Sequence, residues 1–363
     1  MNPLAGLRVG LVGPLPPPAG GMAMQTRQLA ELLRAEQVHV ELVPTNPAYR
    51  PQWVGHVRGV RAVARLLPYL GSLWRVAGRV DVLHVMANSG WSWHLFAAPA
   101  IWVGRLRGVP VVVNYRGGEA ESFLQRSRRT VAASMRQAAR LVVPSGFLRD
   151  VFSRHGLPAE VVPNIIDVRR FCPGARLPAP QIVVARNLEP IYDNATALRA
   201  FAQVRAAQGD ARLLLAGTGP EEAMLRALAA SLGVADAVEF AGRLERDAMA
   251  ARLRESAVAL NPSRVDNMPN SVLEAMASGV PVVSTNVGGV PYVVEHGRTA
   301  LLVPAGDAAA MARAILQLLD GGPLATRLRE QALADVQAYT WARVGPRWGS
   351  VYRGVSRRPE VAA

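Results

Sequence analysis

Residues 262–283 read Pro-Ser-Arg-Val-Asp-Asn-Met-Pro-Asn-Ser-Val-Leu-Glu-Ala-Met-Ala-Ser-Gly-Val-Pro-Val-Val. The polar run up to Pro269 predicts a loop, and Asn270 or Ser271 is placed to cap a helix behind it. Gly279 ends that helix, and the apolar run around Val280–Val283 continues as a buried strand. A helix start directs its first N–H groups at whatever lies in front of it, which makes it an anion site. Asp266 lies in the loop, and Glu274, eight positions on, lies one turn inside the helix on the face that looks back at it. The two carboxylates therefore flank a ready-made phosphate site.

Outward from this stretch, short apolar runs alternate with amphipathic ones along the whole chain. Strands are expected at 181–184, 212–216, 237–240, 257–260, 281–284 and 300–303, and in the first half at 8–12, 38–43, 81–85, 109–113, 140–143 and 160–162. Strands alternating with helices predict parallel α/β layers. A chain of 363 residues exceeds the size at which one core keeps growing, so two domains are expected. The boundaries read as 1–166 for the first domain, 167–180 for a Pro- and Arg-rich linker, 181–340 for the second domain, and 341–363 for a terminal helix with large aromatics at helical spacing. Two doubly wound units in tandem place a ligand crevice at the carboxyl ends of the strands, between the domains.

Further motifs lie at the βα turns. Gly20-Gly21 precedes a helix after the first strand, where backbone can approach a phosphate or sugar closely. Val161–Phe171 contains Pro-Asn-Ile-Ile-Asp, a turn leading out of the first domain. Ala216-Gly-Thr-Gly-Pro-Glu-Glu and Phe240-Ala-Gly-Arg-Leu follow two strands of the second half.

Together these motifs resemble the family 4 glycosyltransferases, retaining enzymes of the GT-B fold, with two Rossmann-like domains facing each other across a cleft. The resemblance covers nearly the whole chain and is densest after residue 160. It implies that the second domain binds a nucleotide-diphosphate sugar and that the first presents the acceptor, with the terminal helix returning to the first domain. In the family pattern Asp266 contacts the sugar being transferred and Glu274 holds the ribose hydroxyls; the family usually has Glu at the first of these. Asn267, Met268, Pro269, Asn270 and Ser271 belong to the same donor site, as do Gly20 and Gly21. Gly217, Arg243 and Leu244 stand in the turns that border the nucleobase.

Two departures matter. The family grips the donor diphosphate with an Arg and a Lys after the first strand of the second domain. Arg186 takes the arginine position here, while Tyr192 aligns with the lysine, so the clamp relies on Arg186, the helix start after Asn270 and another arginine. In the first domain Arg116 stands where the family often has a His near the reacting sugar. Arginine stays protonated and cannot serve as a base. Glu119 is the nearest group able to take a proton. His84 and His94 are each open to a packing or a catalytic role. The resemblance implies retention of configuration with the departing phosphate oxygen taking the acceptor proton. The absence of Asp-x-Asp argues against a metal-bridged diphosphate, so no metal and no cofactor are expected. A catalytically weak or inert sugar-nucleotide-binding protein of the same fold is the alternative. A dinucleotide enzyme is disfavoured because no G-x-G-x-x-G follows the first strand.

Charge is concentrated in one half. All 41 basic residues are arginine, and the formal net charge is +14. Residues 1–170 hold 21 Arg against 9 acids, a balance of +12, while 171–363 are near neutral at +2. The stretch between Glu41 and Asp81 lacks acids, and its Arg58, Arg61 and Arg65 interleave with apolar residues. Pro68 and Gly71 predict two short helices there. A second basic stretch at 122–149 adds Arg126, Arg128 and Arg129. These features predict a peripheral contact with an anionic membrane, at the cytoplasmic face of the plasma membrane, suited to a lipid-linked glycan acceptor in bacterial surface-polysaccharide assembly. Nucleic-acid binding is not expected, since the basic stretches carry no such motif. The start of the chain reads straight into a strand, and the apolar run at 95–103 is too short to span a bilayer, so a cytoplasmic protein is expected. The lone Cys172 excludes a disulfide framework.

Overall fold

The strands of this chain are short and apolar on both faces, the pattern of parallel strands roofed by helices on either side. The computed structural model describes residues 4–17, 20–47, 60–175, 177 and 180–356. Two six-stranded sheets form, with every strand pair parallel. The chain divides into two compact units, one running up to Asn164 and resuming at Trp341, the other Ile165–Thr340.

The first unit contains β1 (Arg8–Gly13), α1 (Gly21–Ala35), β2 (His39–Pro44), α2 (Val60–Ala77), β3 (Val82–Ala87), α3 (Ala98–Leu106), β4 (Val111–Tyr115), α4 (Ala120–Arg126), α5 (Arg128–Met135), β5 (Arg140–Val143), α6 (Gly146–Arg154) and β6 (Glu160–Val161). Its sheet order is β2-β1-β3-β4-β5-β6. The second unit contains β7 (Gln181–Val184), α7 (Asn194–Ala207), β8 (Arg212–Ala216), α8 (Glu222–Ser231), β9 (Val238–Gly242), α9 (Arg246–Glu255), β10 (Val258–Asn261), α10 (Asn270–Ala277), β11 (Val282–Thr285), β12 (Leu301–Val303), α11 (Ala308–Leu319) and α12 (Pro323–Asp335). Its order is β12-β11-β10-β7-β8-β9. The last helix, α13 (Trp341–Arg353), packs in the first unit. There Trp341 Nε1 donates to Glu36 Oε1 at 2.8 Å.

Both orders reverse once, between β1 and β3 and between β7 and β10. Ligands of open parallel sheets bind outside the carboxyl ends of the strands at such reversals, where adjacent loops splay to opposite faces.

Two sequence expectations change. α2 is one helix that runs through Pro68 rather than two short ones. Pro68 lies on the exposed face, so the backbone bond it cannot make falls toward water. Leu66 before the proline packs against the core, Tyr69 and Leu73 after it are buried, and Tyr69 Oη donates to Phe96 O at 2.7 Å, which holds the helix on both sides of Pro68. The passage read as a linker is anchored to the second unit at Phe171, while Pro173, Gly174, Ala175 and Leu177 are exposed. Phe171 is buried in a core of the second unit, and Ile166 N donates to Tyr339 O at 3.0 Å. Arg58 lies outside the described residues.

Candidate active site

The reversal between β7 and β10 gathers a polar cluster. Arg186 stands two residues beyond the end of β7, and Asn261 ends β10. Arg186 Nε donates to Asn261 Oδ1 at 2.9 Å, and its Nη2 donates to Asp266 Oδ2. The side chains of that ion pair are only 11% and 10% exposed. Asn261 is held in turn: its Nδ2 donates to Ser284 Oγ at 2.9 Å, and its Oδ1 accepts from Ser263 Oγ at 2.7 Å. Thr285 Oγ1 donates to Ser263 O at 2.6 Å. A fixed network of this kind holds the guanidinium in one orientation before any ligand arrives.

The two carboxylates differ in environment. Burial pushes the Asp266 carboxyl above its ordinary range, against Arg186 and the backbone N–H groups of Asn267 and Met268. Glu274 keeps part of its surface, yet the dense protein around it pushes its carboxyl up to about 7, with Arg246 and Arg186 opposing. No hydrogen bond to the Glu274 carboxyl exists among the described residues. Arg186 thus acts on both acids, bonding one and attracting the other.

The expected cap is absent. Pro269, not Asn270 or Ser271, is the N-cap of α10, and as a proline it makes no side-chain cap bond. The reason is local: Pro269 cannot continue a strand ladder, its φ of −69° and ψ of 112° are extended, and Asn270 already enters the helix. Met268 and Pro269 are buried, as is Asn267, so this trio builds the wall behind the site. Ser271 and Asn270 are half-buried at the helix start. Gly279, at φ +67°, ends the helix as expected.

Tyr192 packs beside Arg186. Its ring lies against the Arg186 guanidinium, 5.2 Å from centroid to Cζ, and braces it by a cation–π contact. Gly217 is required by close approach, since a Cβ there would lie 2.0 Å from Arg186 O. Arg243 is exposed, and Leu244 packs at the edge of a core cluster.

Three features escaped the sequence reading. Arg246, the first residue of α9, adds positive charge near Glu274. Its signal was an arginine opening a helix just past the Gly242 turn. Gly288 and Gly289 form a second tight glycine pair. Gly289 N donates to Asp266 O at 2.8 Å, and a Cβ on Gly289 would lie 1.7 Å from Asn267 O. Gly289→Ala is therefore expected to push the Asp266 loop off its position and to cost about 1–3 kcal/mol of stability, read as a lower thermal midpoint. Asn164, quoted only as part of a turn, accepts from Arg116 Nη2.

In the first unit Gly20 is the N-cap of α1 in an extended conformation, and a Cβ on either Gly20 or Gly21 would meet nothing within 4 Å. The pair leaves open space before the helix start rather than serving a strained turn. Arg116 follows β4, and its N donates to Ala87 O at 2.9 Å. Burial lowers its guanidinium to about 10, and it has no carboxylate partner among the described residues. Glu119 is exposed, 3.9 Å from Arg126. His84 is a packing residue: its Nδ1 lies 2.7 Å from Tyr352 Oη, its ring meets Trp348, and burial, then Arg116, depress it to about 3. His94 is exposed beside Trp91. Arg65 is half-buried on α2, Arg61 lies in the same helix, Arg128 opens α5, and Arg126 and Arg129 are exposed. Among the described residues no group of three or more His, Cys, Asp or Glu could hold a metal ion.

Comparison with known proteins covers both halves. Residues 20–165 match the family model described as a glycosyl transferase 4-like domain, and residues 179–321 match glycosyl transferases group 1. The chain is 29% identical to the phosphatidyl-myo-inositol mannosyltransferase of Mycobacterium leprae (strain TN), over 96% of this chain and 97% of that protein. Among solved structures it resembles sucrose-phosphate synthase from Thermosynechococcus elongatus, with TM-score 0.75, 21% identity and coverage of 96% and 98%. It also resembles HepE from Anabaena in complex with UDP, with TM-score 0.75, 16% identity and coverage of 96% and 100%.

Proposed function

The chain belongs to the family 4 glycosyltransferases and has their two-domain GT-B fold, and on that premise we propose that it moves a sugar from a nucleotide-diphosphate sugar to a hydroxyl of a lipid-linked acceptor. The observation that carries this reading is the Arg186 guanidinium, fixed at the β7/β10 reversal and acting on Asp266 and Glu274 together. Glu274, with no hydrogen bond of its own to satisfy, accepts from the ribose hydroxyls. The diphosphate takes the α10 helix start and the Arg186 fork, with Arg246 adding charge. Asp266 faces the transferred sugar.

The step balances without a cofactor. The bond from the anomeric carbon to the diphosphate oxygen breaks, the acceptor oxygen bonds to the same face of that carbon, and the acceptor proton passes to the departing phosphate oxygen. Arginine and helix dipole stabilise the charge that gathers on the leaving group, so the account needs no metal. Arg116 stabilises an anionic group in the first domain, and Glu119 is too exposed to serve as a shielded base. The relative from Mycobacterium leprae is named for an inositol phospholipid acceptor. An acceptor of that kind, in surface-polysaccharide assembly on the inner face of the plasma membrane, suits the basic first half.

Tritiated nucleotide sugars incubated with phosphatidylinositol- and polyprenyl-phosphate-linked acceptors test the reading. Label should enter the organic phase, undiminished by EDTA, with the anomeric configuration of the donor. Release of free sugar alone, or an inverted product, contradicts it.

A further inference from the structure

The helices α2 and α3 carry an unusual outer surface. Leu67 (63% exposed) and Trp74 (46%) lie on α2, and Trp102 (46%) and Leu106 (75%) on α3. Among the described side chains of α2 the exposed positions include Ala64, Leu67, Pro68, Gly71, Trp74 and Arg75, one stripe at helical spacing. The two helices are neighbours. The Arg107 guanidinium, just past α3, lies 4.9 Å from the Trp74 ring centroid. Large apolar side chains gathered on one outer face are what a soluble domain normally hides.

The charge around this face has one sign. Between residues 60 and 107 stand Arg61, Arg65, Arg75, Arg79, Arg105 and Arg107 against one acid, Asp81. Asp81 is itself buried and bonded to Arg8 at 2.8 Å. Arg75, Arg79, Arg105 and Arg107 are exposed, and none pairs with a carboxylate among the described residues. The other basic stretch differs: in α4 and α5 the apolar side chains Phe123, Leu124, Val131 and Met135 are all buried. It offers charge with nothing to insert.

We propose that the joined outer face of α2 and α3 is the surface by which this enzyme docks on an anionic phospholipid bilayer, with Leu67, Trp74, Trp102 and Leu106 entering the interface and the arginines meeting the headgroups. The proposal rests on the lipid-linked acceptor reading and names the part of the first domain that meets the lipid. Indole rings settle at the boundary between headgroups and hydrocarbon, and the flanking arginines bring the face there by long-range attraction. The same crowd of positive charge disfavours pairing of the face with a second copy of itself.

The test is flotation of the whole protein with vesicles of phosphatidylglycerol and phosphatidylcholine, and with phosphatidylcholine alone. The expected result is co-flotation with the anionic vesicles, weakened by high salt. The double variant Trp74→Ser, Trp102→Ser should lose about tenfold or more of the bound fraction. Brominated lipids should quench tryptophan fluorescence in the wild type, a readout that needs no variant to fold. An Arg126→Ser, Arg129→Ser control should bind nearly as well as wild type. Absence of wild-type binding to anionic vesicles at low salt overturns the proposal. Equal binding by the tryptophan variant, or a dimer that the variant abolishes, overturns it as well. Thermal stabilisation by a nucleotide sugar, measured on the same samples without vesicles, separates failure of this surface from failure of the glycosyltransfer reading.

Discussion

Arg186→Ala is expected to lower kcat/KM for sugar transfer by about 10²–10³, the range for removing one preorganised donor from a developing anion. Three contacts converge on this side chain: Asn261 at one edge, Asp266 at the fork and the Tyr192 ring against its face. Its loss also leaves Asp266 buried without its counter-charge, so stability should fall along with activity. Arg186→Lys separates the two effects. It restores the charge beside Asp266 but not the planar fork, so the fold should recover while transfer stays low. A lysine variant with near wild-type kcat/KM would show that a point charge suffices and would remove the fork from the account.

Glu274→Ala is expected to weaken nucleotide-sugar binding by about 1.5–3 kcal/mol, the range for hydrogen bonds to a charged group, or roughly ten- to over a hundredfold in Kd. The pH dependence gives an independent signature. With its carboxyl at about 7 in the folded protein, Glu274 is largely protonated below that pH and must ionise to accept from ribose. Affinity should therefore fall as pH drops below about 7 and level off above it. An intact nucleotide sugar is the right probe, because its diphosphate stays ionised throughout. For stability the sign is opposite. The folded state holds the proton more tightly than the unfolded state, whose Glu titrates near its ordinary 4.5, so this group's contribution falls as pH rises from about 4.5 to 7. Glu274→Gln should flatten both profiles. Titration calorimetry across pH 5.5 to 8.5 reads the first, and denaturant midpoints read the second.

The fold was legible because parallel strands leave a strong mark. Val-rich runs such as 9–12 and 111–113 are apolar on both faces, and the helices between strands keep a different period. The donor stretch was legible for a similar reason: loop, helix and Gly279 each carry their own local chemistry. What stayed hidden depends on distance along the chain. The Arg186–Asp266 pair spans eighty positions, and Arg116 reaches Asn164 across forty-eight. Tyr192 was legible as the residue at the lysine position, but its contact with the guanidinium beside it was not. Gly288–Gly289 stayed unnoticed, because the backbone it presses on belongs to residues 266 and 267. Pro68 misled for a physical reason: a proline ends a helix only where no packing holds both sides, and Leu66 before it and Tyr69 and Leu73 after it hold this one.

The central claim is that the β7/β10 reversal of the second unit holds a nucleotide-diphosphate sugar. Isothermal titration of UDP-, GDP-, ADP- and TDP-sugars into the wild type, Arg186→Lys and Glu274→Ala tests it most directly. The account predicts saturable one-site binding of at least one of these donors to the wild type, and affinity reduced about tenfold or more in each folded variant. Binding that both substitutions leave unchanged, or a wild type that binds no sugar nucleotide, would contradict it.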